Sequence, residues 1–391
     1  MGTFGMRTTI LAVMAVAAVS TTALGQSVRA WGENFYGPCH RPAALGPCIA
    51  VAGRRGHTVA LRTDGVVRAW GNNGSGQCNV PSNLGPCTAV SAGGWHTVAL
   101  RTDGIVRAWG AGTSTAGLHP NSGQSIVPSD LGPCTAVGGG DRHTVALRTD
   151  GIVRAWGDNF DFQCNVPADL GPCTAVAAAS HTVALRTDGV VRAWGRNNYG
   201  QCNVPANLGP CTAVAAGGLH TVALRTDGVV RAWGAGTTGT GSDPSYGQSI
   251  VPTDLGPCTA VSAGAWHTVA LRTDGIVRAW GHNLSGQCNV RADLGLCIAV
   301  AAGGTHTVAL RTDACDSSQD YNANGTPDDC ECVADLNNDR SVNGADLGDL
   351  LAYWGPTTSS AASQRADLNR DGYVNADDLG YVLSQWGPCT N

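Results

Sequence analysis

The 391-residue sequence predicts an all-β propeller of seven blades, closed by pairing its two ends, followed by a small α module on acidic loops. Three observations predict the ring. The phrase HTVAL occurs seven times, starting at His57, His96, His143, His181, His220, His267 and His306. The phrase RAWG also occurs seven times, at Trp31, Trp70, Trp109, Trp156, Trp194, Trp233 and Trp280. The repeats open on an RAWG with no HTVAL before it and stop on an HTVALRTD with no RAWG after it. A content of 54 Gly with only 14% charged residues suits a turn-rich β protein.

The HTVAL phrases are spaced 39, 47, 38, 39, 47 and 39 residues apart, so a block of three units is duplicated. Each unit has the size of one propeller blade. HTVALR reads as a strand, TDG as a turn and VVRAW as the returning strand. CTAVAAGG supplies a third strand, and GQCNVP a fourth short extended piece ended by Pro. TVAL and VVRAW are apolar on both sides and need cover on both faces. Blades stacked around a ring supply that cover. The orphan SVRAWG (Ser27–Gly32) completes the orphan HTVALRTD (His306–Asp313) as the seventh blade, removing raw sheet edges. An open solenoid would instead need capping repeats.

Residues 1–25 read as a secretory signal peptide. Arg7 gives the charged start, Ile10–Val19 the apolar run, and Ala23–Gly25 the small residues before a mature Gln26. The apolar run is too short to span a bilayer, and no later segment approaches a spanning length. The chain has no lysine; all 24 basic residues are Arg. Residues 26–313 hold 20 Arg and 16 acids, whereas residues 314–391 hold 3 Arg and 13 acids. That break marks a domain boundary and a cation-binding tail. The small, evenly spread positive excess of the ring excludes a nucleic-acid partner.

Twelve of the 16 Cys fall in the ring. Five C-x8-C pairs are expected as local disulfides in an exported chain: Cys39–Cys48, Cys78–Cys87, Cys164–Cys173, Cys202–Cys211 and Cys288–Cys297. Ser125 and Ser249 replace the first Cys in the two long blades. Cys134 and Cys258 are left as free thiols or for an intermolecular bond. Cys315, Cys330, Cys332 and Cys389 staple the tail in no deducible order.

The tail carries two 12-residue loops, DLNNDRSVNGAD (Asp335–Asp346) and DLNRDGYVNADD (Asp367–Asp378). They place Asp335, Asn337, Asp339, Asn343 and Asp346, and Asp367, Asn369, Asp371, Asn375 and Asp378, at positions 1, 3, 5, 9 and 12. Ser341 and Tyr373 offer position-7 carbonyls. Hard oxygen ligands at these positions are what Ca²⁺ collects from one loop. Apolar residues at helical spacing follow each loop: Leu347, Leu350 and Leu351, then Leu379, Val382 and Leu383. A third loop within residues 314–334 sets Asp320, Asn322, Asn324, Asp328 and Glu331 in the same order.

The repeated HTVALRTDGxVxAWGxNxxGQ resembles the regulator of chromosome condensation repeat, and GQCNVP is similar to the bacterial branch that includes β-lactamase inhibitory protein II. The resemblance covers Gln26 to Asp313 and implies a seven-bladed propeller with strand-exchange closure; it fixes no partner. Residues 335–387 resemble a type I dockerin repeat pair, which implies calcium binding and docking onto a cohesin-like module. Two departures touch those expectations: Arg340 stands where loop position 6 is usually Gly. Gly344-Ala345 and Ala376-Asp377 replace the Ser-Thr pair common in cellulosomal dockerins. The third loop resembles the aspartate-rich calcium repeats of thrombospondin.

One His per blade suits a structural role, because an active site needs one asymmetric constellation. The repeated Trp suits packing between blades. The insertions Ala111–Pro128 and Ala235–Pro252 are the expected contact surface, since binding tends to sit on loops over a rigid scaffold. The non-repeated acids are Glu33, Asp141, Asp158, Asp161 and Asp243; they form no recognisable catalytic string. The sequence therefore reads as an exported, non-enzymatic binding or scaffold protein with a protein or glycan partner. The alternatives are a polysaccharide-degrading component delivered by the tail and a purely structural envelope component.

Overall fold

The computed structural model describes residues 27–42, 45–114, 120–238, 244–292 and 294–311. In the tail it describes 341–342, 344–357, 366, 373–376, 379, 382 and 387–388. The expected signal peptide and the acidic linker 314–334 lie outside the described residues. The chain divides into two compact units, residues 1–312 and 313–391.

Seven three-stranded antiparallel sheets make up the first unit. In one of them an inner strand (Cys87–Ala92) pairs with a middle strand (His96–Arg101), which pairs with an outer strand (Val106–Gly110). The middle strand is buried on both faces, as its apolar pattern requires: Val98 and Ala99 are fully buried, and so are His96 and Thr97. The turn to the outer strand is Thr102-Asp103-Gly104. Gly104 takes φ +80°, where a side chain would be strained, and Asp103 Oδ1 accepts the Ile105 N–H at 3.1 Å.

The sheet that joins the chain ends uses this same design. Val28–Gly32 pairs with His306–Arg311, with Val28 opposite Leu310 and Gly32 opposite His306. His96 and Gly110 occupy the same register within their own sheet. Inner strands pack against their neighbours all the way round, Cys297–Ala302 lying against Cys48–Arg54. Apolar clusters fill each boundary between sheets. The one at the junction of the chain ends holds Val28, Leu45, Val51, Trp70, Val308 and Leu310.

Two sequence expectations are corrected. The GQCNVP piece is not a fourth strand, because side chains take its polar groups. Asn73 Oδ1 accepts the Cys78 N–H at 2.9 Å and Asn73 Nδ2 donates to Asn79 Oδ1 at 2.8 Å, while Pro81 has no N–H to offer a ladder. The five C-x8-C disulfides are not formed: all twelve described cysteines are free. The Gln77 carbonyl beside Cys78 meets Thr97, whereas Cys87 lies opposite Arg101. Those positions are four residues apart on one strand, roughly 13 Å at about 3.3 Å per residue, beyond the ~7 Å Cα limit for a bridge.

The first Cys of each pair has another role. Cys78, Cys164, Cys202 and Cys288 donate Sγ–H to the carbonyls of Asn72, Asp158, Arg196 and His282 at 3.2–3.3 Å. Ser125 and Ser249 make the equivalent bond with Oγ, to Ala111 and Ala235, at 2.6 Å. Ser substitutes for Cys because the slot needs a small donor. Cys134 and Cys258 are free and buried.

Burial pushes the thiols up, to about 11 for Cys78 and Cys87 and about 12 for Cys164, Cys202 and Cys288. Since thiolate is the reactive form, native protein at pH 8 should react slowly with Ellman's reagent, and the twelve ring cysteines should react fully after unfolding. A persistent deficit of ring thiols in denaturant would restore the bridges. A second expectation concerns the joint. Trp31 is 8% exposed and Trp109 7%, so Trp31→Ala and Trp109→Ala should each cost about 3–5 kcal/mol in denaturant unfolding. A Trp31 variant that melts like wild type would show that the terminal strand carries no load.

Candidate functional site

A buried polar belt fixes the geometry of the site. His96 Nε2 lies 2.9 Å from Thr144 Oγ1 of the next blade, and His143, His181, His220 and His267 repeat the contact at 2.7–3.1 Å. His57 meets Thr97 at 3.2 Å, and His306 meets Thr58 of the first blade at 3.0 Å. Each Thr hydroxyl donates to a turn carbonyl, Thr144 to Gln124 and Thr97 to Gln77 at 2.8 Å. The Thr oxygen therefore accepts from His, which fixes the proton on Nε2. The same carbonyls take the indole N–H of Trp109, Trp156 and their equivalents at 2.8–3.1 Å. The expected structural reading of His and Trp is met.

Burial holds these imidazoles neutral, lowering His57, His96, His181, His220 and His267 to about 3 and His143 and His306 to about 4. In the unfolded chain they titrate near 6.5. Below that pH the unfolded state binds protons that the folded state refuses. Their contribution is thus complete above about pH 6.5 and is lost as pH falls toward 4. Melting temperature should drop steeply across that window, with proton uptake on unfolding at pH 5 approaching one per belt histidine. A flat profile from pH 7 to 4.5 would contradict the belt.

The belt end of the ring carries the variable residues. The position before each belt His is Gly56, Trp95, Arg142, Ser180, Leu219, Trp266 or Thr305, while the strands beside it hardly change. The loops after RAWG emerge at this end, because Gly110 pairs with His96. Outside the repeated Trp, the aromatic residues of the described ring are Phe35, Tyr36, Trp95, Phe160, Phe162, Tyr199, Tyr246 and Trp266. All eight occupy these two kinds of loop. Phe35 is 82% exposed and Phe160 85%, an unusual expenditure of the largest apolar side chains. The two non-glycine residues with positive φ, Arg55 (45°) and Phe162 (63°), are also here.

The opposite end is uniform. Six turns repeat one surface ion pair, such as Arg62–Asp64 at 2.8 Å and Arg272–Asp274 at 2.7 Å.

At the centre of the variable end Arg54 crosses the channel. It sits where five other blades have Gly93, Gly140, Gly217, Gly264 or Gly303, glycines whose Cβ would meet the belt His ring at 2.1–2.3 Å. From the end of the first inner strand its Nη2 donates to Asp141 Oδ1 at 3.0 Å and its Nη1 to the Ala216 carbonyl at 3.3 Å. The Asp141 carboxyl is held below its ordinary value: burial opposes this, but Arg54 and Arg55 outweigh it. Above Arg54 opens a cavity of about 620 Å³ lined by Tyr36, Arg55, Trp95, Tyr199, Trp266 and Thr305, among others. Arg55 lies 4.7 Å from the centre of the Trp95 ring.

The non-repeated acids are tied into this face. Asp158 pairs with Arg142 at 3.1 Å, and Glu33 accepts from the Thr305 hydroxyl. The Asp161 N–H donates to Gln163 Oε1; Asp243 lies outside the described residues. Both insertions leave from this end, although 115–119 and 239–243 are outside the description. The insertions stand out in the sequence by their length, whereas Arg54, Arg55, Trp95, Tyr199 and Trp266 do not. Their signal was a departure from the repeat at a fixed slot.

In the tail, α1 spans Gly344–Ala352 and begins at loop position 10. Ser341 and Tyr373, the position-7 residues, sit in two-residue strands. Ser341–Val342 pairs with Gly387–Pro388, and Tyr373–Val374 with Gly355–Pro356, so each loop is clasped by the segment after the other. Val374, Leu350 and Val382 are fully buried. An extended position 7, an apolar anchor beside it and a helix from position 10 suit loops that present a carbonyl to a hard cation. Asn375 is described, and its carbonyl accepts the Leu379 N–H at 3.2 Å. Asp335, Asn337, Asp339, Asn343, Asp367, Asn369, Asp371 and Asp378, the side chain of Asp346, and the third loop from Asp320 to Glu331 lie outside the described residues.

The regulator of chromosome condensation (RCC1) repeat matches residues 49–77, 87–114, 134–163, 177–201, 211–248 and 258–287, and the dockerin type I domain matches 333–383. The chain is an RCC1-repeat propeller with a type I dockerin domain. Six matches accompany seven sheets because the seventh unit is split between the chain ends. No curated protein matches. Among solved structures the chain is similar to Prp20p from Saccharomyces cerevisiae, at 19% identity and TM-score 0.61 over 75% of this chain and 93% of that one. Human WBSCR16 is similar at 19% identity and TM-score 0.60, over 74% and 100%. The ectodomain of the Physcomitrella patens receptor kinase CR4 follows at 19% and TM-score 0.51, over 65% and 67%. At that identity the likeness is one of fold. Type I dockerin domains bind calcium and typically dock onto cohesin modules. Among the described residues no helix is long and apolar enough to cross a membrane.

Proposed function

We propose that this chain is an exported, non-enzymatic binding protein whose variable propeller face holds one partner while the calcium-loaded dockerin domain attaches it to another. The observation that carries the reading is the segregation of non-repeated aromatics onto one end of the ring, beside a uniform opposite end. Rigid scaffolds that bind concentrate variation in this manner. The acids of the face support binding over catalysis: Asp141 and Asp158 are engaged by Arg54 and Arg142. The dockerin domain supports a place outside the cell or on its surface.

In the tail Asp335, Asn337, Asp339, Asn343 and Asp346, with the Ser341 carbonyl, would hold one Ca²⁺, and the matching set from Asp367 to Asp378 a second. The metal, when bound, neutralises the acidic loops and fixes their turns. Metal binding and folding of such a module are coupled. Chelation with EGTA should therefore make residues beyond 312 protease-sensitive and leave the propeller intact. Asp367→Ala should weaken calcium binding at least tenfold by calorimetry. Equal protease resistance with and without calcium would refute a metal-folded tail.

The two-ended reading is tested by immobilising the full chain and exposing it to extracellular material of its source. Partners of the tail should elute with EGTA, and partners of the face should be lost in Tyr36→Ala/Phe160→Ala/Phe162→Ala. Turnover of a glycoside that Asp158→Asn abolishes would favour the enzyme reading instead.

A further inference from the structure

We infer that the cavity above Arg54 is a binding site for the end of a neutral pyranose oligosaccharide. The inference rests on the proposed role of the variable face and names a ligand class for its centre. The volume, about 620 Å³, falls within the roughly 300–1,000 Å³ of small-ligand sites. It is a concave site between rings rather than a flat patch: Tyr36, Trp95, Tyr199 and Trp266 come from four different loops around one mouth. Flat aromatic faces suit the C–H faces of a sugar ring, while Tyr and Trp keep polar tips for water or hydroxyl groups.

The polar groups discriminate between ligand charges. Arg54, Arg55 and Arg196 share the lining with Glu33 and Asp141. An anion would meet the two carboxylates and a cation the three guanidinium groups, so neither is favoured over its whole surface. A hydroxyl group both donates and accepts, and so can use both kinds of residue.

Suitable valences remain at the cavity. Asp141 receives both Arg54 bonds on Oδ1, which leaves Oδ2 to accept from a hydroxyl. Asn72 spends Oδ1 on Gly74 N–H and Gln77 Nε2 at 3.0 Å, which leaves its NH₂ to donate. Arg196 has no ion pair among the described residues and lines the cavity. Arg54, nearly buried and tied to two other blades, gives these groups a rigid floor. A floor that needs no rearrangement lowers the cost of binding.

The test uses full-length protein and isothermal titration calorimetry with three probe sets: neutral gluco-, xylo- and manno-oligosaccharides of two to six units, oligosaccharides of hexuronic acids, and glucosamine oligomers. Saturable binding of one neutral series is expected. Trp266→Ala and Tyr199→Ala should each weaken it at least tenfold while remaining folded by thermal melting. Ile152→Ala, an exposed side chain at the opposite end of the ring, should leave it unchanged. Because Trp266 touches the fold at its edge, Trp266→Phe serves as a second variant and should retain most of the affinity. Binding of only the acidic or only the amino series would overturn the inference, as would neutral binding that survives both cavity variants. If no saccharide binds while the Tyr36/Phe160/Phe162 variant still loses a protein partner, the ligand class is wrong and the binding face stands. If neither happens, the reading of the face falls with it.

Discussion

Everything in the ring depends on one recurring buried contact, in which a turn carbonyl collects a Thr hydroxyl and a Trp indole while that Thr receives an imidazole from the preceding blade. Gln124 with Thr144, Trp156 and His96 is one instance. The His–Thr bond passes from one sheet to the next, so neighbouring sheets satisfy each other's buried side chains. Removing the Thr would leave the buried imidazole N–H without an acceptor, which costs more than the bond itself is worth. This explains why His, Thr and Trp hardly vary along the chain. It also explains why the first and last sheets must meet: His306 finds its acceptor in Thr58.

That constraint leaves the two ends of the ring with different freedom. The Thr-Asp-Gly turns are part of the repeated unit, and each fixes its own Arg–Asp pair at the surface. The turns before His, and the loops after RAWG, have only to deliver the chain to the belt. Whatever they carry above it is unconstrained by the fold, and here they carry aromatic rings and arginines. Arg54 breaks the symmetry of the centre, where five other blades have Gly. It replaces a glycine that the packing of a belt His elsewhere demands, and in doing so it separates the channel from the cavity.

The dockerin domain solves a different problem. It is small, and Leu350, Val374 and Val382 are fully buried among its described residues. Reciprocal pairing of each loop with the segment following the other ties the two halves together. On the proposed reading, calcium would offset the negative charge of this tail.

The blade count and the strand exchange between termini were legible in the sequence because each follows from a periodicity or an incomplete unit. Local chemistry alone sets such features: TDG turns, HTVALR extends, and an incomplete unit at each end implies one join. Pairing of Cys78 with Cys87 was misread for the same reason, since nine residues look close along the chain but run most of the length of a blade. The binding face was likewise hidden. Trp95 and Trp266, or Arg54 and Asp141, are far apart in sequence and meet only because the ring brings equivalent turns to one mouth. Sequence determined the unit and how many there are; the closed tertiary arrangement decided which departures from that unit share a site.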